Sequence, residues 1–161
     1  MCPPGNNINN TSGQAQDLPL QNSRELKYIR ELKGYNVVAE LEIPKIKLNM
    51  DILQEYSENA LQISATKFYG PNPNETGNFC ISGHNFNSKM FKNLKKLSNG
   101  DEISLTDGYG ETTKYEVYDV YKVNPDDTSC LAQNTEGKKE ITLITCTADS
   151  KQRIIVKAKE A

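Results

Sequence analysis

The sequence predicts a mainly β domain, an antiparallel barrel or sandwich, on three observations. From Val37 onward short segments rich in β-branched and aromatic residues recur at 37–43, 46–53, 77–84, 101–106, 112–123, 140–146 and 153–158. Turn chemistry separates them: Asn99-Gly100 and Asp107-Gly108 mark turns, and Pro71-Asn72-Pro73-Asn74 and Asn124-Pro125-Asp126-Asp127 mark loops. Neither long apolar runs nor an internal repeat compete with this pattern, and many short strands at such spacing must close on themselves or pack face to face to bury their apolar sides.

The elements divide the chain in two. Residues 1–36 read as a flexible N-terminal segment, because the Asn, Ser, Gln, Pro and Gly of positions 1–19 bury too little surface to offset chain entropy. Within it Leu20, Arg24, Leu26, Ile29, Arg30 and Leu32 give a weak helical pattern that Gly34 ends, with Asn22 or Ser23 as N-cap. Residues 37–161 form the domain. Its longer connections carry helical pieces at Glu58–Ala65 and Ser88–Leu97, where Met90, Leu94 and Leu97 make an apolar stripe suited to core packing. About 125 residues suffice for one hydrophobic core.

Composition excludes several function classes. The 19 basic and 21 acidic residues leave a net charge of −2, and no basic, aromatic-interleaved patch points to nucleic acid. No stretch reaches the about 18 apolar residues of a membrane span, so the chain as it stands is expected to be soluble. The four cysteines, Cys2, Cys80, Cys130 and Cys146, include no C-x-x-C pair, and a single histidine argues against zinc. No metal is expected. Asp126, Asp127 and Glu136 crowd one loop, but they lack the regular oxygen-ligand spacing of a calcium site and read as solvated acids.

Chemistry concentrates near the C-terminus. The strand Thr142-Leu143-Ile144-Thr145-Cys146 ends on a cysteine, Arg153 follows seven residues later, and the sole histidine stands in Ile81-Ser82-Gly83-His84-Asn85. A thiol, an imidazole and a fixed cation are the nucleophile, proton carrier and charge stabiliser of acyl transfer. Alternation puts Thr142, Ile144 and Cys146 on one face. If residues 147–152 form the connection to the next strand, Cys146 and Arg153 fall directly opposite one another with side chains on a common face; a five-residue connection would turn them apart. With Cys146 as a free nucleophile the other three cysteines permit no complete pairing, and Cys80 in a strand and Cys130 in a loop read as structural. Asn85 reads as the start of a turn. At ordinary pKa values about 3% of thiols and about a quarter of imidazoles are charged at pH 7, so the doubly charged pair is a minor but strongly nucleophilic species.

The order Gly-His-Asn, then Thr-Leu-x-Thr-Cys, then a downstream arginine resembles the sortase family of Gram-positive cell-surface transpeptidases over roughly residues 37–158. The resemblance implies a closed eight-stranded antiparallel β-barrel with short helices in its connections. It implies that Cys146 attacks the threonine carbonyl of an LPXTG-like sorting signal, that His84 protonates the leaving amine, and that Arg153 meets the substrate backbone or the oxyanion. Thr145 and Ile144 would contribute to substrate binding, with residues of the 60s and of 125–133 beside them. An amine acceptor, a peptidoglycan stem or cross-bridge or another surface protein, would then resolve the thioester. Family members are typically held to the extracellular face of the membrane by an N-terminal hydrophobic helix, and membrane attachment is expected only through such a segment outside this sequence. The short Cys146–Arg153 spacing, the lack of an Asp-Pro-aromatic lid and the little room between Val123 and Glu140 point to class D, with class A as the alternative; calcium, used by some class A members, would fall on Asp126, Asp127 and Glu136. The competing expectation is a noncatalytic β-barrel binding module of the cell surface in which Cys146 only packs; a papain-like hydrolase would need the reverse order of Cys and His.

Overall fold

A computed structural model describes residues 24–161, so the expectations for residues 1–23, the N-cap included, lie outside the described residues. The strands are β1 (Arg30–Leu32), β2 (Tyr35–Ile43), β3 (Leu48–Leu53), β4 (Ala65–Tyr69), β5 (Gly77–Ser82), β6 (Glu102–Asp107), β7 (Thr112–Val123), β8 (Lys139–Cys146) and β9 (Arg153–Glu160). One α-helix, α1 (Glu58–Ile63), joins β3 to β4. Single 3-10 turns occupy Pro44–Ile46, Phe91–Lys96 and Ser129–Leu131.

Strands β2 to β9 close into an eight-stranded barrel in the order β2-β3-β4-β5-β8-β9-β7-β6, sealed by β6 against β2 from Ala39↔Asp107 to Glu42↔Ser104. The closed barrel is the one expected, with a difference in strand direction: the β3–β4 and β5–β8 seams are parallel and the other six antiparallel. Parallel neighbours need crossover connections. Helix α1 supplies the first, and the β6–β7 hairpin intervenes in the second.

Where the sequence suggests a helix over 20–32, residues 24–29 carry no regular secondary structure and Arg30–Leu32 form β1, paired antiparallel to the start of β2. The turn between them is Lys33-Gly34, both at positive φ (51° and 88°), the two-residue geometry that fits the twist of a hairpin. Segment Ala65–Tyr69 is likewise a strand, beginning directly after the Ser64 that ends α1.

Period-2 alternation sorts the side chains into two cores. Inward residues, among them Leu41, Ile52, Phe79, Ile81, Leu105, Ile141, Leu143 and Val156, fill the barrel, and Phe91, Leu94 and Leu97 of the β5–β6 connection pack into the same core. The opposite face of β5, β8 and β9 carries a second cluster, Tyr69, Cys80, Cys130, Leu131, Ile144 and Ile155, under the β7–β8 connection. That outer face positions the site.

Candidate active site

Three neighbouring strands bring their functional residues to one end of the barrel. Strands β5 and β8 run parallel, so both finish there, and the antiparallel β9 starts there. Residues 147–152 form the connection, and Cys146 pairs directly with Arg153. Because Thr147 N donates to Gln152 O (3.0 Å), the Cys146–Arg153 pair falls between ladder bonds, where facing side chains stand closer together. On the other side Ser82 is in register with Ile144, and Gly83 N donates to Ile144 O (3.0 Å). Two residues further along each strand stand His84 and Cys146. All three side chains fall on the outer face, in the order His84, Cys146, Arg153 across the strand ends.

Residue 85 would make the next ladder bond of that seam, to Cys146 O. The side-chain amide of Asn85 makes it instead, donating to Cys146 O (2.9 Å) and Thr147 O (3.2 Å). The turn residue of the sequence reading is thus a clamp between the histidine and cysteine segments, and no local signal distinguishes an Asn that begins a turn from one that bridges strands. Gly83 has its own reason. A Cβ there would lie 2.9 Å from the Phe91 ring, so glycine lets that core residue seat against the backbone just before His84.

His84 is 3% exposed. Its ring stacks on the exposed Phe86 (centroids 4.4 Å apart, planes 12°), and Nε2 stands 3.6 Å from Glu58 Oε2, an ion-pair distance too long for a hydrogen bond. Among the described residues Nε2 has no hydrogen-bond partner. Burial pushes the imidazole pKa down, and the Glu58 carboxylate works against that shift.

Arg153 is also largely buried, and desolvation lowers its pKa while the nearby Tyr56 phenol opposes the change. A guanidinium stays charged under such a shift. Tyr56, pushed up to about 12 chiefly by burial, packs edge-on against Phe68 (4.8 Å). Arg153 borders an apolar groove lined by Phe68, Val123, Leu131, Ile144 and Ile155. Of the two residues expected in substrate binding, Ile144 lies in this groove and Thr145 does not: alternation turns Thr145 to the barrel interior, where its hydroxyl donates to Gly83 O (2.7 Å).

Cys146 is disulfide-bonded, whereas Cys80 and Cys130 are free thiols. Thiolate chemistry at Cys146 requires the reduced chain. Burial raises the pKa of Cys80 far above the ordinary thiol range and that of Cys130 to about 11, which makes both poor nucleophiles. Among the described residues no group of three or more His, Cys, Asp or Glu side chains is placed to hold a metal ion. Asp127 instead accepts from Ser129 N and Oγ (2.9 and 2.7 Å).

The sortase domain model matches residues 41–161, and the chain belongs to the sortase family. Sortase A of Bacillus anthracis is 32% identical over 124 residues, covering 74% of this chain and 58% of that protein. Sortase D of Bacillus subtilis (strain 168) is 34% identical over 107 residues, 66% of this chain and 52% of its own length. The chain thus spans about half the length of the curated relatives it matches. Among solved structures, a Clostridium perfringens sortase D5 transpeptidase superposes with a TM-score of 0.72 at 30% identity, over 97% of this chain and 90% of that one.

Proposed function

We propose that this chain carries the catalytic domain, residues 37–161, of a cysteine transpeptidase that cleaves LPXTG-like sorting signals after threonine. The observation that carries the reading is the strand-end register, in which the Cys146–Arg153 pair and the parallel β5–β8 seam gather a thiol, an imidazole and a guanidinium on one face. In the reduced chain the Cys146 thiolate attacks the threonine carbonyl carbon, and the carbonyl electrons move onto oxygen. Arg153, in a drier setting than bulk water, stabilises that oxyanion or the substrate backbone beside it. Collapse of the intermediate breaks the C–N bond, His84 delivers its proton to the departing amine, and a thioester remains on Cys146. An ammonium group of a peptidoglycan stem or cross-bridge, or of another surface protein, gives one proton to His84; the neutral amine attacks the thioester carbonyl, the C–S bond breaks to return the Cys146 thiolate, and the new amide nitrogen sheds its extra proton to water, while water in place of the amine gives hydrolysis.

The apolar surface of Phe68, Val123, Leu131, Ile144 and Ile155 beside Arg153 is where the leucine and proline of the signal would lie. Thr145 contributes indirectly, by fixing the backbone before His84. The compact β8–β9 connection favours class D over class A. No metal enters the reaction as proposed, and the place of action is the outer face of the cell membrane.

The test is mass spectrometry of the reduced protein mixed with an LPXTG-type peptide. The expected result is a thioester on Cys146 in the wild type and loss of cleavage in Cys146→Ala and in His84→Ala, each still folded. Full activity in either variant, or an inert wild-type Cys146 together with retained peptide binding, would turn the reading to the noncatalytic binding module.

A further inference from the structure

Four observations converge on Glu58. Its carboxylate stands 3.6 Å from His84 Nε2, a ring nitrogen without a hydrogen-bond partner among the described residues. It is held there from both sides: Ser57 caps α1 by accepting from Ala60 N (3.1 Å), which fixes the first turn, and Gln62 Nε2 donates to Glu58 Oε2 (3.2 Å) one turn later. The stack on Phe86 sets the plane of the imidazole and leaves the Nε2 edge toward α1. Finally, Glu58 is half-exposed although the ring it faces is buried, so the carboxylate keeps its contact with water while His84 bears the desolvation.

We propose that Glu58 is a positioning residue, holding the His84 imidazole by its Nε2 edge and receiving the imidazolium that carries the proton destined for the leaving amine. The inference rests on the role of His84 proposed above. A buried imidazole disfavours charge, yet the reaction needs it charged when the thiolate attacks. A carboxylate beside it supplies the missing compensation without removing the proton, because an ordinary carboxyl is far more acidic than an imidazolium. Among the described residues the other ionisable neighbours of the site are the Cys146 thiol of β8, which when ionised also favours the imidazolium, Arg153 of β9, which opposes it, and Tyr56 ahead of α1, neutral at physiological pH. Glu58 is the acid on the α1 side.

The sole histidine makes the test direct, since one imidazole resonance in the proton NMR spectrum of the reduced full chain belongs to His84. Glu58→Gln keeps the size of the side chain at a half-exposed position, and Glu58→Asp keeps the charge but withdraws it. His84 is expected to titrate at lower pH in Glu58→Gln than in the wild type, with Glu58→Asp between them. In peptide cleavage the His84 limb of the kcat/KM profile should move the same way, and the plateau should fall about two- to fivefold, the span of one partly exposed ion pair. An unchanged His84 titration in Glu58→Gln would overturn the contact, and a shifted titration with an unchanged cleavage profile would overturn its part in the reaction. A shifted titration in a chain that His84→Ala leaves fully active would overturn instead the function proposed for His84.

Discussion

Strands β5 and β8 carry two buried polar clusters along the same seam, and the two are finished differently. Toward the start of β5, Asn78 Nδ2 donates to Cys130 O and Ala132 O, and its Oδ1 accepts from Thr142 Oγ1. Its backbone exchanges bonds with the Gln133 amide, and Lys157 Nζ reaches both Thr142 Oγ1 and Cys130 O. Every arm of that cluster is used, and it fastens the β7–β8 connection to the outer face of the barrel. At the other end His84 Nε2 is left without a hydrogen bond among the described residues, and a largely buried guanidinium borders an open groove. Buried polar groups left short of partners cost stability, so a fold retains them where they serve chemistry. The satisfied cluster keeps the roof of the groove in place, and the end that leaves His84 Nε2 without a hydrogen bond is the candidate site.

That contrast predicts opposite phenotypes. Arg153→Ala should lower kcat for peptide cleavage by about 10²–10³, the usual loss for one oxyanion-stabilising donor, with little change in denaturant midpoint. Arg153→Lys should not restore it, because an ammonium lacks the planar pair of donors, whereas alkylation of reduced Cys146 by iodoacetamide should be far less affected. Cleavage by Arg153→Ala within a few-fold of wild type would make the arginine a packing residue and erase the distinction between the two ends. Asn78→Ala should do the reverse. Leaving Thr142, Cys130 O and Ala132 O short of partners should cost about 2–4 kcal/mol in urea unfolding, while the folded fraction keeps its reactive Cys146.

The same contrast explains what the sequence discloses. The strand-end chemistry is legible because Cys146 and Arg153 lie on consecutive strands, so a loop count fixes their register and face. Ile144 follows from the same alternation. His84 is legible only as the sole imidazole, because its place beside Cys146 depends on the parallel β5–β8 seam, a pairing between distant segments that no local pattern encodes. Asn85, Glu58 and the whole Asn78 cluster depend on that seam or on α1 and escape a linear reading for the same reason. Strand β4 hides because Ala65 follows α1 without a turn residue, and β1 because Leu26, Ile29 and Leu32 happen to fit a helical period while Lys33 is a poor advertisement for positive φ. The inner face of Thr145 shows the converse hazard: a residue next to Cys146 in sequence points away from it in a strand.

The smallest expected effect is on stability against pH, and it isolates the His84 end. Burial depresses the folded-state pKa of His84 below that of the unfolded chain, so the unfolded state binds a proton first as pH falls. The resulting stability is fully present above about pH 6.5, the ordinary imidazole value, and is lost as pH drops through the folded-state value. The carboxylates whose pKa is lowered, Asp101, Asp127 and Asp149, have the same sign, but their contribution disappears only below about pH 4, the ordinary Asp range. Between about pH 5 and 6.5 the slope of unfolding free energy in the reduced protein should therefore come from His84, and one proton limits it to about 1.4 kcal/mol per pH unit. Urea unfolding across that window should show stability falling toward acid in the wild type, falling more steeply in Glu58→Gln, and flat in His84→Gln. An equal slope in His84→Gln would mean that the imidazole is solvated as well in the folded chain as in the unfolded one, and the two ends of the seam would no longer differ in the way the contacts of Asn78 and His84 require.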